Sequence, residues 1–380
     1  MLGIHSLRRV GWIGGVAGGL LLAAHAGATG FQRSTLSAAG LGLGNALGAD
    51  AQHTSSMAYN PSALAFQQGL ALEGGLLQVN ESLDAAGQTS HPDKDLYVND
   101  FYATYRSAGS ALGFGLGLNR PFRMDTDFTG DFNDPGAATR SELDLMAANP
   151  TMAYRLLPDV AVAAGANYYR ALDFEYSSLG NSGEIERTGE GGGLGGRLGL
   201  MFWREGWTAA ATYTSGADLE MDGTNLDGNT FTLPDRARVG LKWRPSLRWS
   251  THFDITRTGW GSYDGLEGLE GVDVAGKDWD ASLGYHAGSM YRLSDRASLR
   301  FGYAYQEGPK QDSPTFDPRS RTGDRHRLSL GGDYASGGLS YDAAFSYGFT
   351  SSRDISQAGD YNGDHSYAGW QLMFSVGYDR

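Results

Sequence analysis

The chain has 380 residues, with 43 acidic against 30 basic side chains, a formal net charge of -13 and no cysteine. That balance argues against nucleic acid as a partner, and the missing cysteine excludes a disulfide framework and thiol chemistry. Gly 57, Tyr 20 and Trp 8, beside hydrophobics at 41%, suit membrane strands with aromatic girdles rather than a disordered chain.

Arg8 and Arg9 precede an apolar stretch from Val10 to Ala24 and the small residues Ala26, Gly27 and Ala28. This order of basic, apolar and small residues predicts a secretory signal peptide, residues 1–28, cut after Ala28. A retained signal anchor is the alternative, but the apolar stretch is Gly-rich and short for a spanning helix. Cleavage would leave 28 basic against 43 acidic side chains. No run of eighteen apolar residues follows, so no transmembrane helix is expected.

Residues 29–69 carry little pattern: Ala38 to Ala51 is rich in Ala, Gly and Leu, and Asn60-Pro61 breaks what precedes it. Such an apolar segment ahead of the first strand is expected inside a barrel lumen as a plug, since a disordered periplasmic tail would be more polar. From residue 70 onward apolar residues alternate with small or polar ones, as in Leu70 to Asn80 and Asp100 to Arg106. In Leu247, Trp249, Phe253 and Ile255 the alternation opposes Arg248, Ser250, His252 and Asp254, so charge falls on one face. Short turns near Ser107, Pro158, Glu205, Pro245, Asp295 and Gly337 trade places with long polar stretches near 124–140, 176–189, 220–231, 259–276, 307–322 and 351–365. Outer-membrane barrels have this asymmetry of short periplasmic turns and long outer loops.

The expected fold is therefore all-β: a transmembrane antiparallel up-and-down β-barrel of about fourteen strands, residues 70–380, with an N-terminal plug in the lumen. A soluble β-sandwich would also alternate, but it leaves the signal peptide unexplained. The last strand, Tyr367 to Tyr378, must then pair with the first, near Leu70 to Asn80. In the third predicted strand Leu112, Phe114, Leu116 and Leu118 face one way, while Gly113, Gly115, Gly117 and Asn119 face the other, followed by Pro121. Glycine and a nearby proline weaken a ladder and invite a kink, yet small residues also make room for a plug; the residues leave both readings open.

Other candidates have blander readings. Asp125, Asp127, Asp131, Asn133 and Asp134 cluster in a predicted outer loop, but the spacing of a calcium loop and its closing Glu are missing, so a solvated loop is expected. The glycines from Gly189 to Gly199 lack the Lys-Ser/Thr of a phosphate loop. His252, His286 and His326 lie in predicted strands without a nucleophile motif, which argues against an outer-membrane hydrolase. A general porin, the other alternative, would have a charged water-filled lumen. By alternation Arg197, Arg300 and Arg327 face away from lipid; each is a candidate carboxylate contact, with lumen salt bridges as the default.

Thr29-Gly30-Phe31-Gln32, Gly40-Leu41-Gly42 and Tyr59-Asn60-Pro61-Ser62 together resemble the N-terminal hatch of the FadL/TodX family of outer-membrane fatty-acid and hydrocarbon channels. Similar matches run from Leu112 to Phe122, from Asn149-Pro150 through Met152 to Arg155, from Leu233-Pro234-Asp235 to Trp243 and Trp260, and from Trp279 to Asp324-Arg325. Departures are Ser62 for the usual Ala, Arg123 where the family favours Gly, no Ile-Pro-Asp before Asp324, and Arg380 rather than Phe at the end. The resemblance implies passive uptake of long-chain fatty acids or hydrocarbons, with a lateral opening at the third strand (Gly113, Gly115, Gly117, Asn119 and Pro121). It further implies a ligand and gate region at Phe31, Asn60, Pro61 and Ser62. The chain is expected to be a monomer of the outer membrane of a Gram-negative bacterium, with no catalytic residue, no metal and no cofactor. Its expected partners are a hydrophobic small molecule, outer-membrane lipid and lipopolysaccharide, and the barrel-assembly machinery.

Overall fold

A computed structural model describes residues 30–90, 96–131, 133, 138–180, 183–226, 229–262, 279–308, 324–356 and 362–380. The expected signal peptide and Asp134 lie outside the described residues. Fourteen antiparallel strands close into a barrel. They are β1 (Gly69–Ala85), β2 (Leu96–Arg106), β3 (Leu112–Asp127), β4 (Ala138–Leu157), β5 (Val160–Gly180), β6 (Gly183–Arg204) and β7, in two segments (Trp207–Thr214 and Ala217–Thr224). Then come β8, also in two (Thr230–Leu233 and Arg236–Trp243), β9 (Trp249–Thr258), β10 (Ser282–Arg292), β11 (Ala297–Gln306), β12 (Arg325–Ser336), β13 (Leu339–Thr350) and β14 (Gly363–Asp379).

Closure is made by β1 against β14, in register from Ala71↔Asp379 to Ala85↔His365. A closed ring leaves no edge, which is why strands can cross lipid without unpaired backbone groups. The alternation sorts side chains as the ring requires. Trp249, Phe253 and Ile255 point out, while Ser250, His252 and Asp254 between them are at most 2% exposed. Trp207, Trp243, Trp249, Tyr334 and Tyr341 are exposed within a few residues of the short turns, in the position of an interfacial aromatic girdle.

Two stretches that read as outer loops, 176–189 and 220–231, are largely strand. β5 and β6 remain paired as far as Gly180↔Gly183, and β7 meets β8 from Ala217↔Leu233 to Glu220↔Thr230. Beyond the lipid, strands keep their hydrogen bonds but have no apolar face to maintain, so their sequence looks like loop. Asp125 and Asp127 likewise belong to β3 rather than to a loop, where Asp127 faces Arg140 at 3.5 Å.

Ahead of β1, residues 30–66 form a compact segment with two short helices, α1 (Ala38–Gly42) and α2 (Ser56–Tyr59), and a 3-10 turn at Pro61–Ala65. Ser37 caps α1 by accepting from the Gly40 amide, and Asn60 caps the 3-10 turn by accepting from Ser62. The segment touches walls on opposite sides. The Ala38 amide donates to Ser375 on β14, and Asn60 donates to the Leu200 carbonyl on β6. Gly288 and Gly302, on β10 and β11, are the floor beneath its Leu43-Gly44 turn: a Cβ on Gly302 would lie 2.0 Å from the Gly44 nitrogen.

Candidate functional site

Among the described residues, the longest interruption of the ring lies between β2 and β3. β2 pairs with β3 only from Phe101↔Leu118 to Tyr105↔Phe114, although both strands continue beyond it. On its other side β3 carries a bulge, with a register shift between Asn119 and Phe122 against β4. Pro121 has no amide to donate and sits inside this bulge. The N-terminal segment occupies the freed edge. Gln32 bridges Phe122, the Arg33 amide donates to the Pro121 carbonyl at 2.9 Å, and the Arg123 amide donates to the Phe31 carbonyl at 2.9 Å. The Arg33 guanidinium then spans the break: its Nε donates to the Arg120 carbonyl on β3, and its Nη2 meets Asp100 on β2 at 2.6 Å.

Phe31 itself, 2% exposed, lies in the largest apolar cluster. Its ring is 4.9 Å from Trp260, 5.5 Å from Phe231, 5.7 Å from Phe122 and 6.3 Å from Trp279. Leu143 and Leu145 of β4, Phe174 of β5, and Leu219 and Met221 of β7 complete the surround. These are lumen-side positions, which in a water-filled barrel are polar. An apolar lumen can accept an apolar molecule without charging it the cost of an aqueous passage.

The other sequence-selected residues are placed as follows. Asn60, Pro61 and Ser62 are buried against β6, where a Cβ on Gly199 would meet the Asn60 side chain at 2.6 Å and Pro61 at 2.7 Å. They are not at the break; Phe31 and Pro121 are brought together there instead. The inner face of β3 is filled rather than empty. A Cβ on Gly113 would be 3.0 Å from the Leu64 carbonyl, and one on Gly115 would be 2.9 Å from Leu64 and 3.0 Å from Met57. Gly117 faces Tyr102 and Asn149, and Asn119 donates to Asn149 at 2.7 Å. Of the three arginines, Arg300 is held by Asp333 at 2.6 Å and Asp342 at 2.7 Å, and Arg327 donates to Thr35. Arg197 donates to the carbonyls of Met57 and Ala58.

The chain matches the family model of Outer membrane protein transport protein (OMPP1/FadL/TodX) over residues 19–378. The chain belongs to that family. It is accordingly an outer-membrane transport protein that crosses with strands. Among solved structures it is similar to a Pseudomonas aeruginosa FadL homologue, at 16% identity and TM-score 0.74, covering 92% of this chain and 100% of that one. It is also similar to the Pseudomonas putida toluene transporter TodX, at 16% identity and TM-score 0.67, covering 92% and 99%, and to the Ralstonia pickettii toluene transporter TbuX, at 15%, 0.65, 89% and 97%. No curated protein matches the chain. At these identities the structural likeness establishes the shared fold.

Within that family fold, a second polar belt ties the N-terminal segment of this chain to the wall. Asp50 receives Lys242 of β8 at 2.5 Å, His53 at 3.0 Å and Ser56 at 3.2 Å, and the far nitrogen of His53 meets Arg300 of β11 at 2.9 Å. Burial alone would push Asp50 up, but Lys242 and then His53 hold it well below the usual carboxylate range. Burial would push His53 down, and the Asp50 carboxylate, with a further contribution from Asp342, raises it despite Arg300. A depressed Asp50 stabilises above its unfolded value and loses this as pH falls through its folded value; a raised His53 stabilises below its unfolded value and loses this as pH rises through its folded one. Attachment of the segment is therefore expected to be strongest between roughly pH 4 and 6.5, the two unfolded values, and to weaken on both sides. Hydrogen exchange of residues 50–58 against pH checks this, and His53→Gln should flatten the alkaline limb alone.

Sequence reasoning passed over Arg33, Asp100, Phe174, Phe231 and Arg236. Trp260 and Trp279 appeared only within the family match. Among the described residues no group of His, Asp and Glu is arranged to hold a metal ion, and Asp125 of the acidic stretch lies 3.9 Å from Arg123.

Proposed function

We propose that this protein admits hydrophobic small molecules, fatty acids or hydrocarbons, passively across the outer membrane, and that it is not an enzyme. The observation that carries the reading is the lumen-side aromatic cluster around Phe31, held against the unpaired stretch of wall between β2 and β3. A guest entering from outside would displace Phe31 from Trp260 and Phe231, loosen the Phe31–Arg33 strap, and leave through the β2–β3 break into the bilayer. Exit into lipid is favoured over release into water by about 0.8 kcal/mol for each CH2 of the guest. Residues 30–66 act as the plug that denies ions the same path. The toluene transport named for TodX and TbuX supports a hydrocarbon guest, and a fatty-acid guest is what the resemblance of the N-terminal residues implies.

The test is uptake of radiolabelled toluene and of palmitate by cells whose outer membrane otherwise excludes them. Accumulation dependent on this protein is expected for at least one guest; equal accumulation without it would sink the proposal. Large, steady single-channel currents from the intact protein would favour the porin instead. A bulky side chain at Gly115, as in Gly115→Trp, would strike Leu64 and Met57 and is expected to slow uptake several-fold. Gly115→Ala meets only the flexible ends of those side chains and should cost little, so equal uptake rates in both variants would show that this face of β3 plays no part.

A further inference from the structure

We infer that one arc of the short-turn, periplasmic end is a docking surface for anionic phospholipid of the inner leaflet, made by Arg204, Arg244, Arg248, Arg292 and Arg296 on three adjacent turns. The inference goes beyond the uptake reading and does not depend on it. Residues 204–207, 244–248 and 292–296 carry five arginines against two acids, Glu205 and Asp295, in a chain whose formal net charge is -13. The three other turns at this end, 107–110, 157–159 and 336–338, hold no cation. Positive charge is thus gathered on one side of the rim of an acidic protein, where it creates a local field of the opposite sign.

Backbone pairing brings the three turns together. The Arg244 amide donates to the Gly206 carbonyl at 2.7 Å, and the Arg292 amide donates to the Arg248 carbonyl at 2.8 Å. β7 and β8 meet beside them at Trp207↔Trp243, and β9 and β10 at Trp249↔Tyr291. The arginines are therefore neighbours around the rim although they are far apart in sequence. A groove at the first two turns is lined by Trp203, Arg204, Trp207, Lys242 and Arg244, with no acid among its lining residues.

Little of this charge is spent within the protein. Lys242 and Arg300, on the strands just above, are taken by Asp50 and by Asp333 with Asp342. Among the described residues no acid pairs with Arg244, Arg248, Arg292 or Arg296, and Arg248 and Arg296 are exposed. Arg204 meets Asp159 at 3.3 Å, but its side chain is 61% exposed, and such a surface pair is weak.

The neighbouring apolar groups identify the occupant as lipid. Trp207, Trp243 and Trp249 are exposed on the outward face and mark the boundary between membrane and water. The apolar face continues past them, for Leu247 is 83% exposed and Leu293 51%. Leucine held in water gains nothing, whereas among the glycerol and first methylenes of a lipid it is partly buried. The turns thus lie at head-group depth, with the arginines at the level of the phosphates. Guanidinium matches phosphate in a bidentate pair, and each cation beside an anionic lipid surface strengthens binding about fivefold. A soluble acidic partner could meet the charges, but it could not cover Leu247 and Leu293 without displacing lipid from the adjoining rings.

Native mass spectrometry of the purified full chain in a neutral detergent, with equimolar dioleoyl phosphatidylglycerol and dioleoyl phosphatidylcholine, tests this. The acyl chains are the same, so the head group alone sets the ratio of adducts. Phosphatidylglycerol adducts are expected to exceed phosphatidylcholine adducts about tenfold. In Arg244→Gln/Arg248→Gln/Arg292→Gln/Arg296→Gln the ratio should fall to near one, and replacing the same four by Lys should keep most of it. Raising ammonium acetate from about 0.1 M to about 0.5 M should lower the ratio of the unaltered protein several-fold, because exposed charges are screened. A ratio near one in the unaltered protein overturns the lipid and leaves the arc to an acidic protein. An undiminished ratio in the Gln variant, or one indifferent to salt, overturns the assignment to these turns. Loss of the preference to inorganic phosphate at the lipid's own concentration also overturns the lipid, leaving a site for the free anion. Heat-modifiable mobility on gels reports whether each variant has formed its barrel; should the Gln variant not fold, the ratio of the unaltered protein and its salt dependence decide.

Discussion

Asp100→Ala is expected to release Phe31–Arg33 from the barrel wall. Arg33 reaches both lips of the β2–β3 break, through the Arg120 carbonyl and Asp100, with 8% of its side chain exposed, and Arg120 adds a longer bond to the Asn99 carbonyl. Removing one partner of a buried ion pair costs about 3–5 kcal/mol, because the other charge is left unpaired. The two backbone hydrogen bonds holding the strap contribute only about 0.5–1.5 kcal/mol each. Turning Arg33 toward water relieves that cost, against these hydrogen bonds and the buried Phe31 ring, so the strap loosens first at Arg33. The Arg123 amide, which donates to Phe31 across 2.9 Å, reports it directly. Its hydrogen exchange is expected to quicken on the order of a hundredfold, the factor that about 3 kcal/mol represents. Uptake should quicken with it if the strap limits passage. Asp100→Asn retains an acceptor and should lie between. Exchange at Arg123 that stays at the level of the unaltered protein would show that the ion pair does not hold the strap.

The barrel was legible because alternation persists wherever a strand meets lipid. Leu247 to Ile255 and Tyr367 to Tyr378 each declare an outward apolar face, and the structure agrees at Trp249, Phe253, Phe374 and Val376. The site was much less legible, and two bulges are the reason. On β3 the buried positions run through Gly113, Gly117 and Asn119, then shift to Phe122, Met124 and Thr126. On β5 they run through Tyr169 and Ala171, then shift to Phe174 and Tyr176. An added residue reverses which parity faces inward, so strict alternation would have turned Phe122 and Phe174 toward lipid. The bulges instead deliver both rings to Phe31 and Phe231. Arg33 and Asp100 were hidden for another cause: they are 67 positions apart, and only the fold makes them a pair. Arg197 was visible as an inward cation, but only the fold shows it held by the Met57 and Ala58 carbonyls where Arg300 is held by two acids.

Deletion of residues 31–62 is expected to leave an assembled barrel and to open it to ions. Assembly should survive because the ring does not depend on the segment: β1 and β14 pair along their length, and every other neighbouring pair is strand with strand. The Gln32–Phe122 bridge is the segment's sole strand-like contact among the described residues. What deletion uncovers is compatible with water. Lys242, Asp254, Arg300, His252 and His286 all project into the space the segment fills, and several of them already contact its backbone or its acids. A lumen lined by such groups conducts as a porin does, so single-channel conductance should rise on the order of tenfold or more. The aromatic cluster loses only Phe31, so some affinity for an apolar guest should persist in the deleted protein while its selectivity against ions does not. That separation matters: if conductance stays at the level of the intact protein in a barrel shown to be folded, the seal lies elsewhere, among the outer loops, and residues 30–66 serve the guest without serving as a plug.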